Sequence, residues 1–272
     1  MTQFKDKNVL ITGGASGLGR LLAVESAKRN ASNIILVDIN EKGLEETKNK
    51  LEEYSCNVSH FKCDLSNREE VYVIGEKVIN EYSCIDILIL NAGIVQAKTI
   101  LESDDDLTEK TFFVNAISNF WMAKIFLPPM IKKNEGHVVT VSSISAFATS
   151  CKIGDYGASK GASFSFNEAL RLELSDMGTN IKTTVMCPYY MDTGMFKGST
   201  TKFPLILPIL KPEDVCKKLV RGIEKNKESL ITPLFCYTIF LVRFFPAFVG
   251  DWIHRFLGIN KSMNEFVGRQ KK

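Results

Sequence analysis

Apolar residues along this chain fall into two alternating patterns. Short, nearly unbroken runs recur, as in Val9 to Ile11, Ile85-Asp-Ile-Leu-Ile-Leu90 and His137-Val-Val-Thr-Val-Ser142. Between them lie longer stretches in which apolar positions return every three or four residues, as at Leu21, Leu22, Val24 and Ala27. Continuous runs suit strands buried on both faces, and the 3.6-residue period suits helices laid over them. The alternation predicts strands near residues 8–12, 33–38, 58–63, 85–90, 137–142 and 181–187. Helices are expected near 17–30, 40–54, 67–82, 106–132, 156–177 and 212–226. Strand and helix taking turns is the signature of parallel βαβ units, so the expected class is α/β, a doubly wound parallel sheet with helices on both faces. No repeat, low-complexity segment or linker divides the 272 residues, and a single domain is expected over 1–272.

The first strand-to-helix turn is rich in glycine: Thr12-Gly-Gly-Ala-Ser-Gly-Leu-Gly19. Strand, glycine turn and helix aim backbone N–H groups and a helix N-terminus at a pyrophosphate, which makes the expected fold Rossmann-type. The next apolar run ends in Asp38, nineteen residues after Gly19, where such a fold places the acid that accepts from ribose hydroxyls. The competing reading of Asp38 is a helix N-cap.

Further along, Tyr156 and Lys160 stand four residues apart, with Ser143 thirteen residues upstream of Tyr156. On a helix that spacing brings phenol and ammonium onto one face, and the positive charge favours phenolate over phenol. The pair is a candidate general acid/base. Ser142 competes with Ser143 for the role of hydroxyl partner, and is read as pointing away from Tyr156 into the cofactor side of the strand end.

Taken in order, Thr12-Gly13-x-x-x-Gly17-x-Gly19, Asp64, Asn91-Ala92-Gly93, Asn115, Ser143, Tyr156-x-x-x-Lys160 and Pro188 to Thr193 resemble the short-chain dehydrogenase/reductase family from about residue 5 to about residue 230. The resemblance implies an oxidoreductase in which Tyr156 exchanges a proton, Lys160 lowers its pKa and holds the nicotinamide ribose, Ser143 holds the substrate oxygen and Asn115 carries a relay water; the competing reading of Asn115 is a buried amide satisfying helix backbone. It further implies a cofactor lying along Gly13, Ser16, Gly17, Leu18, Gly19, Asp38, Ile39, Cys63, Asp64, Leu65, Asn91, Ala92, Gly93, Val141, Pro188, Tyr189 and Thr193, together with Tyr156 and Lys160. Where the family has Pro-Gly this chain has Pro188-Tyr189, so a side chain stands beside the expected carboxamide position. The wording from Pro188 to Phe196 looks like the branch containing retinol and 17-beta-hydroxysteroid dehydrogenases, which act on bulky lipophilic alcohols.

Charge decides the expected cofactor. Asp38 would repel a 2′-phosphate, and Gly14, Ala15, Ser16, Ile39 and Asn40 bring no base to offset it, so NAD is favoured over NADP. The alternatives are an NADP-dependent carbonyl reductase and a non-catalytic dinucleotide-binding protein on a lipid surface.

Composition narrows the remaining classes. Net charge is +3 with acids and bases interspersed, which excludes the basic stripe of a nucleic-acid binder. The one basic cluster, Arg269 to Lys272, reads as a solvated terminus. Seven cysteines without a CxxC pair, and three histidines, point to reduced thiols and no metal site. The charged residues before the first strand leave no room for a signal peptide or an N-terminal anchor, so a cytoplasmic, non-secreted protein is expected. A homodimer or homotetramer is the expected assembly. Residues 195–212 are read as the substrate loop and 229–260 as an apolar C-terminal extension. That extension is taken as a lid burying Phe240, Phe244 and Phe245 over the substrate, or as a dimer surface; the other reading is a monotopic patch in peripheral contact with a membrane.

Overall fold

The structure, a computed structural model, describes residues 1–268. The tail Arg269 to Lys272, read above as a solvated terminus, lies outside them. Seven strands form one parallel sheet: β1 (Asn8–Thr12), β2 (Asn33–Asp38), β3 (Asn57–Lys62), β4 (Ile87–Leu90), β5 (His137–Val141), β6 (Lys182–Pro188) and β7 (Ser229–Thr232). Their order is β3-β2-β1-β4-β5-β6-β7. The order reverses between β1 and β4, and the crevice at such a switch point is where doubly wound sheets bind ligands.

Helices α1 (Gly17–Ala27) and α7 (Pro212–Glu224) cover one face, packing Leu18, Leu22, Leu219 and Ile223 onto Val9, Ile11 and Met186. On the other face α3 (Arg68–Tyr82), α5 (Ser118–Lys133) and α6 (Gly154–Asp176) bury Val71, Phe126 and Leu170 against Leu10, Leu88 and Val138. Alternate residues of one strand thus feed opposite cores, which is why these strands are apolar without a break. Each fully buried Leu or Ile side chain contributes about 1.5–3 kcal/mol.

The structure departs from the sequence expectations in two places. β7 was not foreseen: Ser229-Leu-Ile-Thr232 is only four residues and runs straight into the apolar extension, so periodicity had no boundary to detect. It pairs with β6 from Val185↔Ser229 to Pro188↔Thr232, at the sheet edge. The single helix expected over 106–132 is α4 (Asp105–Phe112) and α5 with one wide π turn, Phe113–Ile117, between them. The competing reading of Asp38 as a helix cap is excluded, since Asn40 takes that position on α2 (Glu41–Asn49), accepting from Gly43 N–H at 3.1 Å.

Two short helices, α8 (Thr238–Val242) and α9 (Ala247–Phe256), follow β7. Among the described residues no helix is long and apolar enough to cross a membrane.

Candidate functional site

A cleft of about 210 Å³ lies at the carboxyl ends of the strands. At one end is the glycine turn. Gly13 has φ +71°, a left-handed conformation that favours glycine, and a Cβ on Gly19 would run into the Gly13 carbonyl. α1 therefore starts hard against β1. Its N-cap, Ser16, makes no side-chain bond to the first-turn amides, which leaves those N–H groups open to an anion. Such a cradle suits a pyrophosphate.

Asp38 ends β2 with its carboxylate oriented: Oδ2 accepts from Ala15 N–H at 3.1 Å and Oδ1 from Asn40 N–H at 3.0 Å. Arg20 is one base brought close to this corner, bonded to the carbonyl of Ala15, whose N–H holds Asp38. Its guanidinium is committed to Thr47 at 2.9 Å, Glu46 at 3.0 Å and the Ala15 and Gly43 carbonyls, and it does not line the cleft. Asp64 carries an ion pair that sequence reading missed: Lys110 Nζ, from α4, donates to its Oδ2 at 2.8 Å. Burial acts to raise the Asp64 carboxyl, but the Lys110 and Ser66 hydrogen bonds hold it below the usual carboxylate value. Forty-six residues separate Asp64 from Lys110, so no local motif could signal their meeting.

The Asn91-Ala92-Gly93 segment is tied to the glycine turn through Thr12. The Asn91 and Ala92 N–H groups donate to Thr12 Oγ1 at 2.9 and 3.1 Å, and Asn91 Nδ2 donates to the Thr12 carbonyl at 2.9 Å. Asn91 thus braces the cradle while its residue lines the cleft.

Ser143, Tyr156 and Lys160 come together at the other end. α6 places Tyr156 and Lys160 one turn apart, with Lys160 Nζ 5.8 Å from the centre of the Tyr156 ring. Lys160 Nζ donates to the Val141 carbonyl at 2.7 Å. Ser142 Oγ donates to the Lys160 carbonyl at 2.7 Å, which fastens this turn of α6 to the end of β5. Ser143 Oγ accepts from Ser145 N–H at 3.2 Å and donates to the Pro188 carbonyl at 3.4 Å.

Burial dominates the acidities here. It pushes the Tyr156 hydroxyl above its usual value, and Ser143 pulls it part of the way back. The Lys160 ammonium is pushed down to about 8 by the same desolvation. Both shifts have one cause: taking the phenolate or the ammonium out of water disfavours the charged form.

Asn115 sits in the π turn, one layer behind the cleft. Its Oδ1 accepts from Ile94 N–H at 2.8 Å, and its Nδ2 donates to the Ile94 carbonyl at 3.0 Å and to Ser159 Oγ at 2.9 Å. The side chain is fully occupied, while its main-chain carbonyl is approached by Asn119 Nδ2 at 3.3 Å. Wide turns of this kind recur at functional sites because they re-aim a backbone carbonyl.

Gly13, Ser16, Leu18, Asp38, Ile39, Cys63, Asp64, Leu65, Asn91, Ala92, Gly93, Val141, Ser143, Tyr156, Lys160, Pro188, Tyr189 and Thr193 all line this one cleft. Gly17, Gly19 and Asn115 lie behind its wall. Residues that sequence reading did not single out also line it, among them Lys110, Val114, Tyr190, Phe196 and Ile259. Tyr190 had a signal, its place beside Pro188-Tyr189; its hydroxyl bonds to Ser262 at 3.0 Å and pins the C-terminal segment over the cleft. Ile259 had none, since only tertiary folding returns it to β6.

The loop over 195–212 is closed at its base, where Leu210 N–H donates to the Tyr190 carbonyl at 2.8 Å and Asp192 N–H to the Leu210 carbonyl at 3.0 Å. Its Phe203 stacks on Phe256 of α9 at 5.5 Å. The expected lid is only partly present. Phe240 packs edge-on against Phe147 at 5.0 Å, but Phe244 and Phe245 are 87% and 61% exposed and neither lines the cleft. Pro246 takes the N-cap position of α9, which breaks the chain between α8 and α9 just after these two rings.

Residues 7–203 match the family described as short chain dehydrogenase. Similar proteins include epidermal retinol dehydrogenase 2 of Homo sapiens, 43% identical over 97% of this chain and 86% of that protein. Short-chain dehydrogenase/reductase family 16C member 6 of Bos taurus is 40% identical, over 97% of this chain and 84% of its own length. Retinol dehydrogenase 10 of Rattus norvegicus is 36% identical, over 98% and 88%. A crystal structure of a short-chain dehydrogenase/reductase from Burkholderia phymatum in complex with NAD superposes with a TM-score of 0.80, covering 89% of this chain and 95% of that one at 24% identity, a likeness of fold.

Proposed function

The chain belongs to the short-chain dehydrogenase family and is a short-chain alcohol dehydrogenase/reductase, and from that premise we propose that it is an NAD-dependent oxidoreductase interconverting a lipophilic alcohol and its carbonyl. The observation carrying this reading is that Ser143, Tyr156 and Lys160 share one cleft with the Gly13 turn and Asp38. The cradle at Gly13 to Gly19 would hold the pyrophosphate, Asp38 the adenosine ribose, Lys160 the other ribose, and Thr193 the carboxamide. When bound, NAD supplies the hydride acceptor, and its reduced form the donor.

The protein must then hold the substrate oxygen and move one proton. Ser143 Oγ, with both donor and acceptor capacity, holds the oxygen. Tyr156 takes the hydroxyl proton during oxidation and returns it during reduction, a role worth on the order of 10²–10⁴ in rate. The Lys160 ammonium stabilises the phenolate as it forms. Asn115 holds the Ile94 backbone with its side chain, which leaves the relay water to its main-chain carbonyl. Phe196, edge-on to Tyr156 at 5.5 Å, along with Ile144, Tyr189 and Tyr190, supplies the apolar wall for a bulky substrate.

Asp38, with Arg20 committed elsewhere, supports NAD over NADP. We also propose self-association through α5 and α6, where Phe120 and Leu172 stay half-exposed. The test of function is appearance of reduced nicotinamide on incubation with NAD and a panel of retinoids, steroids and fatty alcohols. Turnover of at least one by the wild type, abolished in Tyr156→Phe, supports the reading; no turnover of any would remove it.

A further inference from the structure

We propose that a second cleft, beside the one holding Tyr156, binds the carboxylate end of a lipophilic chain. This cleft, of about 960 Å³, opens between the turn at Ile100 and Leu101, the segment Phe147 to Lys152, and helices α8 and α9. It meets the first cleft at Ala148 and Ser150, which line both. Ile100, Phe147, Ile239, Val242 and Phe245 give it apolar walls, against which a hydrocarbon chain gains by leaving water.

Charge selects the end group. Lys98, Lys152 and Arg243 line the cleft against one acid, Asp251. Among the described residues no carboxylate pairs with any of the three bases. Glu102 feels the charges of Lys98 and Lys152, but its carboxylate accepts from Thr99 at 2.8 Å and does not line the cleft. Arg243, the single charge between Leu230 and Val249, is held in place. Its Nε donates to the Phe147 carbonyl at 3.0 Å and a terminal nitrogen donates to the same oxygen, while Phe164 at 4.6 Å and Phe240 at 5.0 Å pack on the Phe147 ring. A guanidinium fixed in this way keeps donors to spare for a carboxylate.

The N-terminus of α9 opens on the same space. Pro246, Ala247 and Gly250 line it, no side chain caps the first turn, and that turn holds no acid. Open amides at a helix N-terminus add to the attraction for an anion. A sugar phosphate here would leave the apolar walls against water, and a neutral lipid would leave the bases unanswered. A long-chain carboxylate satisfies both. It has two sources: the far end of the substrate itself, a long ω-hydroxy acid with its hydroxyl at Tyr156, or a separate fatty acid. The first source rests on the function proposed above, whereas the binding stands without it.

The experiment is calorimetric titration of the full chain, in the presence of NADH, with hexadecanoate and with hexadecanol. The wild type is expected to bind the acid ~tenfold or more tightly than the alcohol. Arg243→Gln with Lys152→Gln is expected to lose that margin, with circular dichroism and NADH binding as in the wild type, and Arg243→Lys to keep most of it. Equal affinity for acid and alcohol in the wild type, or a margin that survives in the double variant, would overturn the proposal. Oxidation of 16-hydroxyhexadecanoate assigns the source: a KM below that for hexadecanol, raised in the double variant at unchanged kcat, makes the carboxylate the substrate's own, and inhibition by hexadecanoate without that preference makes it a separate ligand. Because binding is read without turnover, failure of this proposal and failure of the proposed activity are separate results.

Discussion

Lys160 holds its ammonium 5.8 Å from the centre of the Tyr156 ring and spends one donor on the Val141 carbonyl at 2.7 Å. The lysine is thus fixed by β5 and not by Tyr156, and it lines the cleft. Removing the phenolic oxygen leaves that frame untouched. Tyr156→Phe should lower turnover by roughly 10² or more while NADH binding, followed by fluorescence, changes little. Near-normal turnover would exclude Tyr156 as the acid/base.

The buried ammonium sets a pH dependence of stability. Burial lowers the folded-state value of Lys160 from 10.5 to about 8, so between those limits the unfolded chain binds the additional proton. Stability from this group is therefore lowest below about pH 8 and rises between pH 8 and 10.5, by at most ~1.4 kcal/mol per pH unit. Other groups cancel in a difference against Lys160→Met. Urea unfolding of the two proteins should show wild-type minus variant stability climbing over that window; a flat difference would mean the ammonium keeps its water.

Cofactor preference is expected to turn on Asp38. Asp38→Ser with Ile39→Arg removes the carboxylate and supplies a guanidinium for a phosphate, and should shift the ratio of NADH to NADPH dissociation constants toward NADPH by tenfold or more, ~1.4 kcal/mol. A wild type that already binds NADPH more tightly would show that Arg20 leaves its partners.

Asn115→Leu would strand the buried Ile94 N–H and carbonyl that the amide now satisfies at 2.8 and 3.0 Å. Each stranded group costs about 1–3 kcal/mol, so a clear loss of thermal stability is expected together with weakened NADH binding, since the Asn91 to Ile94 segment lines the cleft. Unaltered melting would leave Asn115 without the positioning role.

Much of the candidate site was legible because its parts are local. A glycine turn needs backbone freedom within a few residues, and Tyr156 and Lys160 need only one helical turn. Strands β1, β2 and β5 were readable for a similar reason: burial on both faces demands unbroken apolar runs. The π turn at Phe113–Ile117 was not, since it differs from ordinary helix by one backbone hydrogen-bond register that no residue type demands.

What the sequence by itself determined is the alternation that builds the sheet, the cradle at Gly13 to Gly19, and the identity of the groups at Ser143, Tyr156 and Lys160. What only the tertiary structure decided is how those groups are tuned and what surrounds them. Lys110 reaches Asp64, Ile259 returns to the cleft, and Phe244 stays exposed while Phe240 packs against Phe147, none of which follows from spacing. The physical reason is that residue type sets what a side chain can donate, accept or bury, whereas its pKa and its exposure depend on the water removed by elements far away in the chain. Tyr156 carries its hydroxyl by sequence; the acidity of that hydroxyl belongs to the fold.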